Sequence, residues 1–283
     1  MSAHRLGVSD KRRAFFELHE GGCFVIPNPW DVGSARFLQS LGFKALASTS
    51  SGFAWSQGRR DGAVPRDRVL SHLRELVDAT DVPVNADFQN GFGHEPQRVA
   101  ESVRLALETG VAGLSIEDST GDEARPLYDL DAAVARLRAA RAAIDKAGGD
   151  VLLVGRAECF VVGRPDLGEA IGRLKAYAQA GADCLFAPGI GTRDQIAAVV
   201  AAAVPKPVNL LVGSSGGLTL PQIAALGVRR VSVGGALARS AWGAFMRSAQ
   251  LLAQGSFEGF SGPTPTHDQV DSLFSGRSGA HSS

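Results

Sequence analysis

Cysteine is scarce in this chain and poorly spaced for structural chemistry. The three that occur, Cys23, Cys159 and Cys184, are far apart, odd in number and form no CxxC pair. A disulfide framework or a thiolate zinc site is therefore not suggested. An excess of either charge is also missing: Lys+Arg and Asp+Glu each total 29 among 283 residues. That balance leaves no electrostatic footprint for nucleic acid or an anionic membrane surface. No apolar run approaches the roughly eighteen residues that a membrane helix needs. The first residues, MSAHRLGVSDKRRAFFELHEGG, carry no long apolar core, so no secretory signal is expected. A GxGxxG fingerprint is absent after the first strand, which argues against an open dinucleotide-binding sheet. The expectation is a cytoplasmic, enzyme-sized chain, 45% hydrophobic and 20% charged, with material for a sizeable core.

What is present is a repeating unit. LGFKALASTSSG, TGVAGLSIEDST, AGADCLFAPGIG and LGVRRVSVGGAL share one design. Each has a glycine suited to ending a helix, a short link, an apolar run and then small or polar residues. CFVIPN, VPVNADF, DVLLVGRAE and KPVNLLVG also read as buried strands that enter polar or glycine-rich loops. Helical patterns fill the gaps at 31–41, 66–79, 95–108, 129–147, 166–180, 192–203, 219–226 and 236–254, after a first helix near 9–19. The 129–147 segment places arginines on the face opposite its apolar residues. Eight strand–helix units favour a single α/β (β/α)8 barrel of the TIM type over residues 1–254, with a doubly wound open sheet as the alternative. Residues 255–283 form a separate extension. THDQVDSLF reads as one short helix there, Phe257, Phe260 and Phe274 call for a packing surface, and RSGAHSS reads as disordered.

The carboxyl ends of barrel strands build the active site, so they sort function from core. Strands one and two end in Asn28 and Ser48-Thr-Ser-Ser-Gly52. Strand three ends at Asp87, strand four at Glu117-Asp118, and strand five at Arg156 with Glu158 beyond. Strand six ends in Ala187-Pro-Gly, strand seven near Asn209 and Ser214-Ser215, and strand eight in Gly234-Gly235. Neighbouring strands lie about 4.8 Å apart, so Asp87 and Glu117 can reach a common point. Two carboxylates without a histidine suit a hard cation such as Mg²⁺. Arg156 beside them could grip a substrate carboxylate with its fork of donors. A salt-bridge network that merely closes the barrel top is the structural alternative for any one of these residues.

The series SSG, NAD…GFG, SIED and GRAE resembles the isocitrate lyase/phosphoenolpyruvate mutase superfamily, from about residue 10 to 255. The resemblance implies that Ser51, Gly52 and Phe53 bind the carboxylate and carbonyl end of the substrate. It places Asp87 and Glu117 around Mg²⁺, or Mn²⁺ in its stead, directly or through water. The first acid of the family's Asp-x-Asp is Asn85 here, and two extra residues precede the glycines. A further family aspartate matches Asp61, the strand-five arginine matches Arg156, and Glu158 stands where aspartate is usual. Asn209 joins the substrate-facing set. Subunits of such enzymes are commonly tetramers with exchanged C-terminal helices, so a homodimer or homotetramer is expected.

Departures from the family narrow the chemistry. The lyases' cysteine-bearing gating loop is replaced by Ser119-Thr-Gly-Asp-Glu-Ala-Arg-Pro-Leu-Tyr128, and strand six ends without a polar group for a phosphonate. The resemblance implies a small-molecule 2-oxo or 2-hydroxy di- or tricarboxylate that is cleaved or decarboxylated through a pyruvate-type enolate. Retro-aldol cleavage needs a base, for which Glu158 or Asp61 is available, whereas decarboxylation of a 2-oxo diacid needs only an electron sink. The alternatives are P–C chemistry on phosphonopyruvate, or a 2-oxo acid-binding protein with weak or no catalysis.

Overall fold

The computed structural model describes residues 6–215 and 217–274. Helix α1 (Val8–Glu20) precedes β1 (Phe24–Ile26), α2 (Val32–Ser40), β2 (Leu46–Ala47), α3 (Ser50–Ser56) and α4 (Arg66–Ala79). Then come β3 (Val84–Asp87), α5 (Pro96–Leu107), β4 (Gly113–Glu117), α6 (Leu130–Lys146), β5 (Leu152–Arg156) and α7 (Leu167–Gln179). The last units are β6 (Cys184–Phe186), α8 (Arg193–Ala203), β7 (Val208–Leu211), α9 (Leu220–Ala225), β8 (Arg230–Ser232) and α10 (Ala236–Ala253). A 3-10 turn (Glu258–Phe260) and α11 (His267–Ser272) follow.

All strand pairs are parallel, in the order β1-β8-β7-β6-β5-β4-β3-β2. The ring closes where Ala47 N–H donates to Pro27 O at 3.0 Å and Asn28 Nδ2 donates to Ser48 O at 2.9 Å. This is the expected (β/α)8 barrel. The repeat glycines Gly42, Gly110, Gly181 and Gly227 have φ of +86°, +84°, +101° and +88°, so each ends a helix in the left-handed region. One core layer lies between strands and helices, built from residues such as Leu73, Val103, Leu137, Leu153, Leu185 and Val199. A second cluster sits inside the barrel, where Phe15 of α1 meets Ile26, Leu152, Val154 and Phe186. Gly113 admits Phe15 to this space, since a Cβ there would stand 2.6 Å from the ring and 2.7 Å from Asn85 Oδ1.

Two sequence expectations change. The SSG stretch, outside every helical pattern of the sequence, is the start of α3, capped by Thr49, whose Oγ1 accepts from Gly52 N–H at 3.3 Å. Arg136 does not lie on a solvated face of α6, because it is only 1% exposed. Its guanidinium donates to Asn90 O and Gly93 O, and to His94 O at 2.7 Å, and stacks 3.9 Å over the Tyr128 ring. Loop carbonyls replace water around a guanidinium that is itself buried. This clamp holds the segment after β3, where Gln89 and Phe92 take left-handed φ of +48° and +55° despite their side chains. Phe257 and Phe260, for which a packing surface is expected, are 71% and 56% exposed among the described residues. The segment read as disordered lies outside the described residues. Among those described, no helix is long and apolar enough to cross a membrane.

Replacing Arg136 by Met is expected to lower unfolding stability by about 3 kcal/mol, since three carbonyls lose a charged donor. Faster hydrogen exchange across residues 89–94 would accompany the loss. Two buried histidines work against the fold in acid. Burial, aided by Arg230, lowers His19 from 6.5 to about 3, and burial lowers His72 to about 4. Below pH 6.5 the unfolded chain binds protons that the folded chain refuses, so each histidine removes about 1.4 kcal/mol per pH unit. Between pH 7 and 5 the urea midpoint of the wild type should fall relative to that of the His19→Gln/His72→Gln variant, the difference isolating the histidines from the carboxyl groups of the barrel mouth.

Candidate active site

Side chains alternate along a strand, so the last inward positions of β3, β4 and β5 bring Asp87, Glu117 and Arg156 to one rim. The guanidinium of Arg156 occupies the centre. Its Nη1 lies 3.2 Å from Asp87 Oδ1 and 2.8 Å from Glu117 Oε1, and its Nε pairs with Glu158. The plane of Arg156 also sits 5.0 Å over the Phe186 ring. The other Asp87 oxygen accepts from Ser50 N–H at 2.9 Å, and Asp87 N–H donates to Ser48 Oγ at 2.9 Å. Glu117 N–H reaches back to Gln89 O at 2.9 Å, which ties the rim to the clamped loop.

The charges do not balance. Burial pushes the Glu117 carboxyl well above its ordinary range; Arg156 opposes that shift, while Glu158, Asp87 and Asp61 add to it. Glu158 is raised by burial against the pull of Arg156. Asp61, on an exposed loop, has its carboxyl group raised by partial burial at the rim and then by the charge of Asp87. Burial alone would weaken protonation of Arg156, but Glu117, Glu158 and Asp87 together strengthen it. Four carboxyl groups thus face a single guanidinium.

Two cavities meet at this point. The inner one, about 150 Å³, runs into the barrel mouth, and the outer one, about 440 Å³, lies under residues 119–121 and 161–162. Both are lined by Ser50, Asp61 and Arg156. The 119–128 segment folds into a hairpin, with an antiparallel bridge from Ser119 to Leu127 and Thr120 N–H donating to Pro126 O at 3.0 Å. It therefore roofs the outer cavity without a cysteine.

The other residues singled out in the sequence separate by position. Ser51 faces the inner cavity, its Oγ 3.1 Å from Thr49 Oγ1. Gly52 is packed, since a Cβ would stand 2.7 Å from Thr49 Cγ2 and 2.9 Å from Trp30 Cβ. Phe53 stacks on His72 at 3.8 Å, away from the cavities, and its N–H donates to Thr49 O. The amides of Gly52 and Phe53 are thus engaged by the cap of α3. Asn209 lines the inner cavity but is fully buried, donating to Ser232 Oγ and accepting from Arg230 Nε. Asp118 points to the outside of the barrel, where it accepts from Glu158 N–H at 2.8 Å, Tyr177 Oη at 2.5 Å and Arg173 at 3.2 Å. It holds the turn that carries Glu158. Sequence reading gave no separate role to Ser50 or Asn85 and missed Ser115, Arg230 and Ser232, which with Asn85 form a polar floor. The signal for the floor was there: Arg230 and Ser232 alternate within an apolar strand.

No three His, Cys, Asp or Glu side chains among the described residues converge as a ready-made metal cluster. The donor chemistry nevertheless fits a hard cation that keeps its water. Asp87 and Glu117 already converge on one cationic nitrogen, and their surroundings hold more carboxyl groups than one guanidinium neutralises.

Residues 15–253 match the sequence profile of the family described as phosphoenolpyruvate phosphomutase. A candidate lyase/mutase from Burkholderia cenocepacia is 47% identical and superposes with a TM-score of 0.90, covering 95% of this chain and 97% of its own. Oxaloacetate decarboxylase of Paraburkholderia xenovorans is 29% identical over 80% of this chain and 76% of its own length. Oxaloacetate acetylhydrolase, in complex with its product oxalate, superposes with a TM-score of 0.82 at 27% identity, covering 94% of each chain. With the barrel, the rim of acids around Arg156 and this similarity along most of its length, the chain belongs to the phosphoenolpyruvate phosphomutase family.

Proposed function

We propose that the chain is a lyase that uses Mg²⁺, or Mn²⁺, to cleave or decarboxylate a small 2-oxo diacid, with oxaloacetate the first candidate. The observation that carries this reading is Arg156, fixed by Asp87, Glu117 and Glu158 where the two cavities meet. Such a guanidinium cannot swing away and presents a preset positive field to a carboxylate or to charge developing on oxygen. Ser51, facing the same cavity, offers a hydroxyl to the 2-oxo group. Asp87 and Glu117 would hold the metal through its waters, and the metal would supply an electrophile for oxygen charge.

Glu158 is committed to Arg156 and is fixed from behind by Asp118, so its part is to position. Asp61 at the rim, with its raised carboxyl, is the group free to exchange a proton with the carbon left after bond cleavage. Loss of CO₂ needs no base in its first step, which suits a roof hairpin without cysteine. The turn after β6, Ala187-Pro188-Gly189, brings no polar side chain for a phosphonate, and this favours C–C over P–C cleavage.

The same reading includes self-association. Of the eighteen residues of α10 only Ala238 is buried, while Trp242, Phe245, Met246 and Leu252 are exposed. Helix α10 leans on the 3-10 turn, where Ser248 Oγ donates to Gly259 O at 2.8 Å. A second copy of the chain is the natural cover for so much apolar surface.

Purified protein with Mg²⁺ is expected to release pyruvate from oxaloacetate faster than Mg²⁺ alone, with kcat/KM reduced roughly a hundredfold or more in Asp87→Ala and Arg156→Gln. The reading fails if no 2-oxo or 2-hydroxy diacid is turned over. Sedimentation velocity should find a dimer or tetramer, shifted to smaller species by Phe245→Glu with Met246→Glu. A wild-type monomer would count against the assembly.

A further inference from the structure

A second arginine looks into the site from below. Arg230, at the start of β8, points into the barrel interior and is 3% exposed. Its Nε donates to Asn209 Oδ1 at 2.8 Å. Its Nη1 lies 3.4 Å from His19 Nε2 and 3.5 Å from Asn85 Oδ1, both long for hydrogen bonds. Among the described residues, Nη2 makes no hydrogen bond and no carboxylate forms an ion pair with the group. His19 cannot supply a counter-charge. Its Nδ1 donates to Phe15 O at 2.7 Å, which leaves Nε2 bare, and burial together with Arg230 keeps the ring neutral.

The other buried cations are provided for within the chain. Arg156 has three carboxylates, Arg173 has Asp118 and Glu169, Arg136 has three loop carbonyls, and Lys11 donates to Val77 O and Thr80 O. Arg136 and Lys11 are each met by several close carbonyl oxygens, whereas Arg230 has a single close acceptor, Asn209 Oδ1, although guanidinium stays charged at any physiological pH. A desolvated charge without an opposite charge strongly destabilises a fold. Barrel interiors are ordinarily packed with branched apolar side chains. Here the same space holds a cavity of about 150 Å³ whose floor includes Arg230, Asn85, Asn209, Ser115 and Ser232.

We propose that Arg230 is an anion subsite at the floor of the inner cavity, and that it takes the distal carboxylate of a small dicarboxylate whose 2-oxo end lies against Ser51 and Arg156. The carboxylate part rests on reading the site as one for a 2-oxo acid; the anion subsite does not. Asn209 holds the guanidinium, and Ser232, whose Oγ accepts from Asn209, offers its hydroxyl hydrogen to an oxygen bound there. The ligand spans rim to floor, so it is short and carries charge at both ends. Selection of a diacid over a monoacid then follows from two fixed arginines that line one cavity.

The test uses calorimetric and thermal-shift titrations with formate, pyruvate, malonate and succinate on the intact protein. Malonate or succinate is expected to bind wild type about tenfold or more tighter than pyruvate, and Arg230→Gln should abolish that preference while leaving pyruvate unchanged. Asn209→Asp puts a carboxylate beside Nε and should abolish it too, with a melting temperature no lower than wild type. This second variant decides the matter should Arg230→Gln fail to fold. Formate should raise the melting temperature of wild type clearly more than that of either variant, whatever the substrate is. Diacid preference that persists in both variants, or formate stabilisation that is absent from wild type or unchanged in both variants, overturns the subsite. Formate stabilisation that depends on Arg230, together with no binding of pyruvate or any diacid, retains the anion subsite and overturns the 2-oxo acid reading and the dicarboxylate assignment.

Discussion

Everything at the mouth of this barrel is arranged around the pairing of Arg156 with Asp87, Glu117 and Glu158. Three strands deliver these groups to one place because the inward phase of each strand ends there. Each partner is in turn fixed from behind. Ser50 N–H holds Asp87, the clamped loop at Gln89 holds the backbone of Glu117, and Asp118 holds the backbone of Glu158. A charged cluster of this size is stable only when its members are constrained and its remaining lone pairs are satisfied. The surplus of acid over base makes the rim a place for added positive charge, and the guanidinium makes it a place for negative charge. A metal-assisted site for an anionic substrate needs both.

The site has depth as well as a rim. Above Arg156 the outer cavity is shaped by the 119–128 hairpin, whereas below it the inner cavity is shaped by the barrel itself. Loops change easily without disturbing a fold, but residues inside a closed sheet do not. Polar groups on β3, β4, β7 and β8 inside the barrel therefore carry more weight as signs of a ligand than the same residues in a loop would. They occupy volume that apolar side chains would otherwise fill to advantage.

The fold was largely legible in the sequence, because the repeat glycines and apolar runs act locally and recur. The carboxylates at the strand ends were legible for the same reason, as breaks in apolar runs. Two things were hidden. The stretch at Ser51 reads only as small and polar residues at a strand end, yet Thr49 caps it into α3, and its amides are engaged by the cap. Arg136 reads as a surface residue by helical phase, and only the three-dimensional course of the loop at 90–94 supplies the carbonyls that bury it. Both depend on contacts between segments distant from one another or on competition for a single hydrogen, and periodicity carries neither.

The seam between β1 and β2 is unlike the other seven. No ladder joins these strands among the described residues, and the ring is closed there by one backbone bond from Ala47 and one side-chain bond from Asn28. A closed sheet resists shear only as well as its least-bonded junction, so thermal fluctuation is channelled into this line rather than spread around the circumference. Asn28 also accepts from Val233 and Gly234 N–H, which places one amide group astride three strand ends. Ser48 to Ser51 lie directly beyond the seam. The least-bonded junction of the barrel thus lies beside the residues that face the inner cavity, while β3, β4 and β5, which carry the charges, are joined by full ladders.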